Sequence, residues 1–173
     1  MAATIFITGG TRSGKSDYAQ RRAEAHPGPL LYVATATPGD AEMAARIARH
    51  RIARGERWDV LEEPLDLAGR LPSAMAGAAA AVLDCVTLWL SNLYFAHGEE
   101  RAPVLREVEG FCRLLPTLTA PLYLVSNEVG YGIVPENRLA REFRDLAGEA
   151  NQLLAAAADE AWLVVAGLPL RLK

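Results

Sequence analysis

Short apolar runs alternate along the chain with segments in which apolar residues recur at helical spacing. A continuous apolar run of four to six residues is typical of a strand buried on both faces, and the helical spacing predicts amphipathic helices that cover those faces. Strands that alternate with helices favour an α/β fold with a mostly parallel sheet. We therefore predict one domain over residues 1–173, a parallel sheet flanked by helices. Strands are predicted at residues 3–7, 30–35, 79–83, 122–126 and 162–166, with a short extended piece at 58–62 and a possible antiparallel edge strand at 168–172.

The helical spacing predicts six helices between these strands. They are expected at residues 16–25, 41–54, 64–71, 86–96, 104–115 and 137–158. Pro64 is expected to start the third of them, because proline fits the first turn of a helix. Asp40 is a plausible N-cap for the second.

The turn after the first predicted strand carries a phosphate-binding pattern. Gly9, Gly14, Lys15 and Ser16 fit G-x-x-x-x-G-K-S between a strand and a helix, which is the context that this motif requires. Glycines let backbone N–H groups converge on phosphate oxygens, and the helix N-terminus favours an anion. Lys15 is expected to reach the outer phosphates, and the Ser16 hydroxyl to ligate Mg²⁺. The predicted nucleotide loop comprises Gly9, Gly10, Thr11, Arg12, Ser13, Gly14, Lys15 and Ser16.

Composition narrows the class of protein. Apolar residues make up 51% of the 173 residues, which argues against a disordered chain, and the net charge of −3 gives no sign of nucleic-acid binding. No apolar run reaches the roughly eighteen residues of a membrane span. The start of the chain lacks the basic segment of a secretion signal, so we expect a cytoplasmic protein. Cys85 and Cys112 are expected to be buried thiols.

Asp84 directly follows the apolar run 79–83. A carboxylate at the carboxyl end of a core strand, beside a phosphate loop, is the usual place for an acid that directs a metal ion. Aspartate also caps helices well, so the alternative is that Asp84 is the N-cap of the next helix, and both roles are compatible.

His50 lies on the predicted basic helix with Arg46 and Arg54 on the same face and Arg49 and Arg51 beside it. Like charge keeps an imidazole neutral by lowering its pKa, and a neutral imidazole is a nucleophile that the arginines can assist by holding phosphates. The alternative is a solvated basic helix face. Two further histidines, His26 and His97, lie at a turn and a helix end and are expected to be solvated or structural.

The segment after the fourth core strand, residues 127–137, is rich in glycine and includes Glu128. In a parallel sheet it lies on the same rim as the phosphate loop, where ligands of open α/β sheets bind. Glu128 is a candidate polar contact to a ligand, and an ordinary β–α loop is the alternative.

Taken together, these segments resemble a known family. The resemblance runs nearly end to end and rests on GGTRSGKS at 9–16, YVATA at 32–36, EMAARIARHR at 42–51, DCVTLWLSNL at 84–93, SNEVGYGIVPENRLAR at 126–141 and AAAADEAWLVVAG at 155–167. The sequence is similar to the bifunctional adenosylcobinamide kinase / adenosylcobinamide-phosphate guanylyltransferase of cobalamin assembly. The segments that contain His50 and Glu128 are the distinctive ones, whereas many NTPases share the phosphate loop.

The resemblance implies a P-loop NTPase-like domain and two reactions. ATP or GTP phosphorylates adenosylcobinamide, and GTP then transfers GMP to the adenosylcobinamide phosphate through a covalent histidine intermediate. The histidine of that intermediate corresponds to His50. The resemblance therefore favours His50 as the nucleophile over a solvated helix face. The phosphate loop and the position of Asp84 predict Mg²⁺ with Ser16 and Asp84 as ligands, and the resemblance implies a homotrimer. Further nucleotide contacts fall at Ala34, Thr35, Ala36, Arg51, Ile52, Ala53, Arg54, Glu62 and Asp84.

Two other functions remain open on the residues alone. One is a small-molecule kinase without a covalent step, and the other is a nucleotide-gated switch protein. The residues that hold the corrin ring are not identified by any motif; Trp89 and Tyr131 are candidates, and core packing is the alternative for Trp89.

Overall fold

The computed structural model describes residues 2–36 and 55–173. The predicted helix at 41–54, with Asp40 and His50, lies outside the described residues. The strands are β1 (Thr4–Gly9), β2 (Leu30–Ala34), β3 (Trp58–Glu62), β4 (Ala80–Asp84), β5 (Leu122–Asn127), β6 (Glu160–Val165) and β7 (Leu168–Arg171). The helices are α1 (Lys15–Glu24), α2 (Leu67–Ala74), α3 (Val86–Ala96), α4 (Arg101–Leu114) and α5 (Arg138–Ala157), and a 3-10 turn (Leu115–Thr117) follows α4.

The described strands form one sheet in the order β3-β2-β4-β5-β1-β6-β7. Every neighbouring pair is parallel except β6 and β7, which form an antiparallel hairpin at the edge. The prediction of a mostly parallel sheet with an antiparallel C-terminal edge is therefore confirmed. β1 lies between β5 and β6, both of which come from the last third of the chain.

Both faces of the sheet are covered, which explains why its central strands are continuously apolar. Alternate residues of β1 point to opposite faces of the sheet. On one face Ile5 and Ile7 pack with Ala19 and Ala23 of α1. Phe6 points to the opposite face, which carries the larger core built with α2 to α5. β7 is exposed along its whole length, as expected for an edge strand.

Local chemistry shifts several predicted boundaries. α2 begins at Leu67, not Pro64, because the Asp66 side chain accepts a hydrogen bond from Gly69 N at 2.9 Å and caps the helix there. α4 begins at Arg101, before the predicted residue 104, and ends in the 3-10 turn. Asn137 is the N-cap of α5, not its first residue, and its side chain accepts from Ala140 N. β1, β4 and β5 each extend one or two residues further than predicted.

Trp89 belongs to the core and not to a ligand surface. It is 1% exposed, its ring lies 5.3 Å from that of Phe111, and its indole N–H donates to Leu65 O at 2.9 Å. Tyr131, in contrast, is 79% exposed. Among the described helices, none is both long and apolar enough to span a membrane.

We expect Trp89→Ala to lower the free energy of unfolding by about 3–5 kcal/mol, because it leaves a cavity in the larger core and removes the hydrogen-bond donor to Leu65. Urea denaturation followed by circular dichroism measures this change. Leu88→Ala is the matched control on the same helix, since Leu88 is 39% exposed, and it should change stability far less. Equal losses for the two variants would contradict a core role for Trp89.

Candidate functional site

The carboxyl ends of the central strands meet at one rim of the sheet. Ala34 at the end of β2 pairs with Glu62 on one side and with Asp84 on the other. Further along, Asp84 pairs with Val125, and Gly9 pairs with Asn127. The ends of β2, β3 and β4 are level with one another, and the ends of β5 and β1 are level with each other two residues further along. The predicted phosphate loop and the predicted acid Asp84 therefore belong to the same rim, separated only by β5.

The loop from Gly9 to Ser16 connects β1 to α1. Gly14 is the N-cap residue of α1 with a φ of 90°, a left-handed conformation that glycine adopts without strain. The Lys15 ammonium donates to Gly10 O at 2.9 Å, so the side chain folds back across the loop. Ser13 N donates to Gly10 O at 3.2 Å and closes the turn. This arrangement places a cation and a helix N-terminus beside each other, which suits a phosphate group.

The C-terminal hairpin packs directly on the loop. Gly167, in the turn between β6 and β7, donates its N–H to Ser13 O at 2.8 Å. A Cβ on Gly9 would clash with Val164 O of β6 and would lie 2.7 Å from Ser13 Oγ. A Cβ on Gly14 would lie 3.2 Å from Gly167 Cα. Gly9 and Gly14 are therefore needed for packing against the hairpin as well as for approach to an anion.

Lys15, Asp84 and Cys85 influence one another electrostatically. Burial lowers the pKa of Lys15 below its ordinary value, and the nearby Asp84 and Cys85 oppose that shift. Burial and then the charge of Asp84 raise the pKa of Cys85 to about 11, so Cys85 is a protonated thiol at neutral pH. Among the described residues, the partner of the Asp84 carboxylate is the Tyr32 hydroxyl, which donates to Oδ2 at 2.9 Å.

The expectation that Asp84 caps the following helix is wrong. The N-cap residue of α3 is Cys85, with no side-chain hydrogen bond to the helix. Asp84 is the last residue of β4, and its carboxylate accepts a hydrogen bond from Tyr32. The hypothesis that is left for this residue is the metal-directing role. Thr35 lies nearby and is fully buried, and its hydroxyl donates to Cys85 O and accepts from Cys85 N.

Glu128 is held beside the phosphate loop by a polar network. Its backbone N–H donates to Gly9 O at 3.0 Å, and its Oε1 accepts from the Thr8 hydroxyl at 2.6 Å. The Asn151 amide of α5 lies 3.5 Å from the same oxygen, and Asn151 Oδ1 accepts from Ser126 at 2.7 Å. Thr8, Ser126 and Asn151 are all buried.

The structure assigns positions to some of the predicted site residues and not to others. Gly9 to Ser16, Ala34, Thr35, Ala36 and Asp84 lie along the rim. Glu62 ends β3 on the same rim, one strand beyond β2, and is exposed. The remaining predicted site residues lie outside the described residues: His50, Arg51, Ile52, Ala53 and Arg54.

Sequence reasoning missed four residues that shape the site. Tyr32 binds Asp84, Gly167 supports the phosphate loop, and Thr8 and Asn151 hold Glu128. For Thr8 the sequence does carry a signal of a role in the site, since it is a polar residue near the end of an otherwise apolar strand. Asn151 has no such signal, because its partners lie on a different element.

Comparison with known proteins identifies the family. A model of the cobinamide kinase / cobinamide phosphate guanyltransferase family matches residues 5–172. The chain belongs to this family. The bifunctional adenosylcobalamin biosynthesis protein CobU of Salmonella typhimurium is 43% identical over 180 residues, covering 98% of this chain and 99% of that protein. The corresponding protein CobP of Pseudomonas aeruginosa is 43% identical over 168 residues, covering 97% of this chain and 96% of that protein. The predicted family is confirmed.

Solved structures support the fold of this cobinamide kinase / guanyltransferase family member. The RadB recombinase matches with a TM-score of 0.56 at 14% identity, over 93% of this chain and 73% of that chain. The flagellar accessory protein FlaH from Methanocaldococcus jannaschii matches with a TM-score of 0.53 at 14% identity, over 99% of this chain and 78% of that chain. At this identity the likeness shows the fold alone, and it supports the predicted α/β architecture.

Gly9→Ala should destabilise the fold, because the new Cβ collides with the Val164 carbonyl oxygen and with Ser13 Oγ. We expect a loss of about 1–3 kcal/mol, or a drop in Tm of several degrees, in a thermal melt without nucleotide. Gly10→Ala is the matched control, since nothing lies within 4 Å of a Cβ built there. A Gly9→Ala protein with an unchanged Tm would show that the hairpin does not pack on the loop in this way.

Cys85 should resist thiol reagents in the folded enzyme. A thiol pKa of about 11, against an ordinary value of 9.0, makes the thiolate about 100-fold scarcer at pH 8. We expect a Cys112→Ser protein, which keeps only Cys85, to react with a disulfide reagent very slowly when native and fully when denatured. Because the pKa is raised, the native rate should rise about tenfold per pH unit above pH 8 and level off only near pH 11. Rapid labelling of the native protein at pH 8 would contradict this assignment.

Proposed function

We propose that this chain catalyses both reactions for which its family is named. In the first, ATP or GTP phosphorylates the aminopropanol hydroxyl of adenosylcobinamide. In the second, GTP donates GMP to adenosylcobinamide phosphate, which yields adenosylcobinamide-GDP and pyrophosphate. The observation that carries the proposal is the carboxyl rim of the sheet, where a lysine-containing phosphate loop and Asp84 lie on either side of the end of β5.

The phosphate loop is the part of the site that binds the triphosphate. The loop backbone and the N-terminus of α1 supply N–H donors, and Lys15 supplies a cation beside them. Lys15 now donates to Gly10 O, and a phosphate oxygen is a stronger acceptor for an ammonium group than this carbonyl. Burial of Lys15 strengthens its interaction with an anion, because the dielectric around it is lower than in water. In the kinase step catalysis is mainly positioning and neutralisation of charge.

Ser16 and Asp84 fit a Mg²⁺ ion that is held jointly by protein and phosphates. Among the described residues no group of three or more His, Cys, Asp or Glu side chains is placed to hold a metal ion, so a site made of protein ligands alone is not expected there. Mg²⁺ typically binds through one or two side chains, phosphates and water. The Tyr32 hydroxyl donates to Asp84 Oδ2, and Asp84 Oδ1 makes no hydrogen bond to the described residues. When bound, Mg²⁺ neutralises charge on the phosphates.

His50 is the proposed nucleophile of GMP transfer. Its imidazole attacks the α-phosphate of GTP, a P–N bond forms and pyrophosphate leaves, and adenosylcobinamide phosphate then takes the GMP from the histidine. Arg46 or Arg51 stabilises the charge that develops on the phosphate. The support is the sequence, since these residues lie outside the described residues: a histidine among arginines within a segment distinctive of the family.

Contacts to the nucleotide from Ala34, Thr35, Ala36, Arg51, Ile52, Ala53, Arg54 and Glu62 are proposed on the same resemblance. The family resemblance is also the basis for proposing that the protein works in the cytoplasm as a homotrimer. Val165, Leu168 and Leu170 of the C-terminal hairpin are more than half exposed, which is compatible with contact between subunits.

Labelled GTP tests the covalent step. With GTP labelled at the α-phosphate, the denatured protein should keep the label, and the label should be lost in acid and survive base, as expected of a phosphoramidate. GTP labelled at the γ-phosphate should leave no label, because the γ-phosphate departs with pyrophosphate. His50→Ala should abolish labelling and lower GMP transfer by about 10³-fold or more, while the kinase step persists.

His97→Ala is the matched control, because the His97 imidazole bonds Glu107 at 2.9 Å and has no proposed role in catalysis. Its labelling should equal that of the unaltered protein. Label retained after His50→Ala would refute the assignment of the nucleophile. A protein that phosphorylates adenosylcobinamide without accepting label would be a kinase alone, and one that does neither would fit a nucleotide-gated switch.

A further inference from the structure

We propose that Glu128 is the base of the kinase step, accepting the proton of the adenosylcobinamide hydroxyl as that oxygen attacks the γ-phosphate. The inference rests on the kinase half of the function proposed above. Neither the family description nor the phosphate-loop motif assigns a role to this residue. Three observations support it: the place of Glu128 in the sheet, the orientation of its carboxylate, and the chemistry of the two reactions.

The order of the strands places Glu128 between the two parts of the proposed site. β5 lies between β1, which leads into the phosphate loop, and β4, which ends at Asp84. Glu128 is the first residue after β5, so the chain leaves the sheet at this point on the rim. The hydrogen bond from Glu128 N to Gly9 O, at 3.0 Å, fixes its backbone to the first residue of the phosphate loop.

The carboxylate of Glu128 is anchored through one oxygen. Oε1 accepts from the Thr8 hydroxyl at 2.6 Å and lies 3.5 Å from the Asn151 amide nitrogen. Oε2 makes no hydrogen bond to any of the described residues, and the side chain is half-buried at the rim. A base needs this combination, because one oxygen fixes the geometry while the other stays open to a proton donor.

The anchor is itself rigid. Asn151 Oδ1 accepts from the buried Ser126 hydroxyl at 2.7 Å, and Asn151 Nδ2 also lies 3.4 Å from Asn127 O. Next to it, Asn127 N donates to the Thr87 hydroxyl of α3 at 2.8 Å. A buried network whose members satisfy one another holds a side chain in place more firmly than a single contact does. The carboxylate therefore needs little reorganisation when the substrate arrives.

Asp84 is less suited to this role. It is the proposed metal ligand, and the Tyr32 hydroxyl already donates to its Oδ2. Lys15 cannot act as the base while its ammonium binds phosphate. Within the described part of the rim, Glu128 is the carboxylate that adjoins the phosphate loop without a proposed metal-binding role.

The proton balance separates the two reactions of the family. In the kinase step the hydroxyl oxygen forms a bond to the γ-phosphorus, and the bond from that phosphorus to the β–γ bridging oxygen breaks. The nucleoside diphosphate leaves, and the hydroxyl proton passes to Glu128 Oε2 and then to solvent. In the GMP transfer the acceptor is the phosphate of adenosylcobinamide phosphate, whose attacking oxygen is already ionised at neutral pH. That reaction has no hydroxyl proton to remove and does not need Glu128.

The test is to measure the two reactions separately in Glu128→Gln. Glutamine keeps the size of the side chain and an oxygen that accepts from Thr8, but it is not a base. With adenosylcobinamide and nucleotide, kcat for phosphorylation should fall by about 10²–10⁴-fold while the KM for nucleotide stays within about twofold. With adenosylcobinamide phosphate and GTP, the GMP transfer should stay within about twofold of the unaltered enzyme. The intact transfer also shows that the variant is folded.

Glu136→Gln is the matched control, since Glu136 lies in the same loop, is exposed and has no proposed contact with the reacting groups. Both of its activities should be unchanged. Two outcomes for Glu128→Gln would overturn the inference. A parallel loss of both activities would mean that Glu128 only supports the structure of the rim, and an unchanged kinase rate would mean that no base acts there. If the unaltered protein phosphorylates no adenosylcobinamide, the proposed kinase function itself has failed.

Discussion

Parallel pairing of β4, β5 and β1 is the constraint on which the site depends. Because the three strands run in the same direction and end within two residues of one another, Asp84, Glu128 and Gly9 reach one rim without any long loop having to bring them together. The helices on both faces bury the strands and leave the rim as the accessible polar part of the sheet. A shift of one residue between β5 and β1 would move Thr8 away from Glu128 and turn side chains to the wrong face.

The rim combines two kinds of group that differ in how they are held. The phosphate loop is fixed by glycines that allow close approach of β6 and of the turn at Gly167, so its shape depends on the absence of side-chain atoms. Glu128 is fixed by side chains that donate to it, so its position depends on their presence. The first arrangement suits an anion bound by backbone N–H groups, and the second suits a group that must face a particular atom of a substrate.

The sequence was sufficient for features that are encoded locally. The phosphate loop was predictable because its glycines, Lys15 and Ser16 are contiguous, and Asp84 was placed on the rim because it ends an apolar run. The predicted start of α2 at Pro64 was wrong, because the cap formed by Asp66 outweighs the preference of proline for the first turn of a helix. The bond from Thr8 to Glu128 joins residues 120 positions apart, and only the order of the strands brings them together. The same limit applies to Gly167 and Ser13, whose contact joins the two ends of the chain.

The position of β1 in the middle of the sheet has a consequence for synthesis of the protein. β1 is made first, but its two neighbours, β5 and β6, are among the last strands to leave the ribosome. Until then its apolar residues have no sheet to join, and the phosphate loop lacks the turn that supports it. Contacts between distant parts of a chain form slowly, and unpaired strands are prone to aggregate. The loop after β1 therefore cannot reach its final packing until β5 and β6 have been translated, so a product truncated before β6 would lack the contacts that support it.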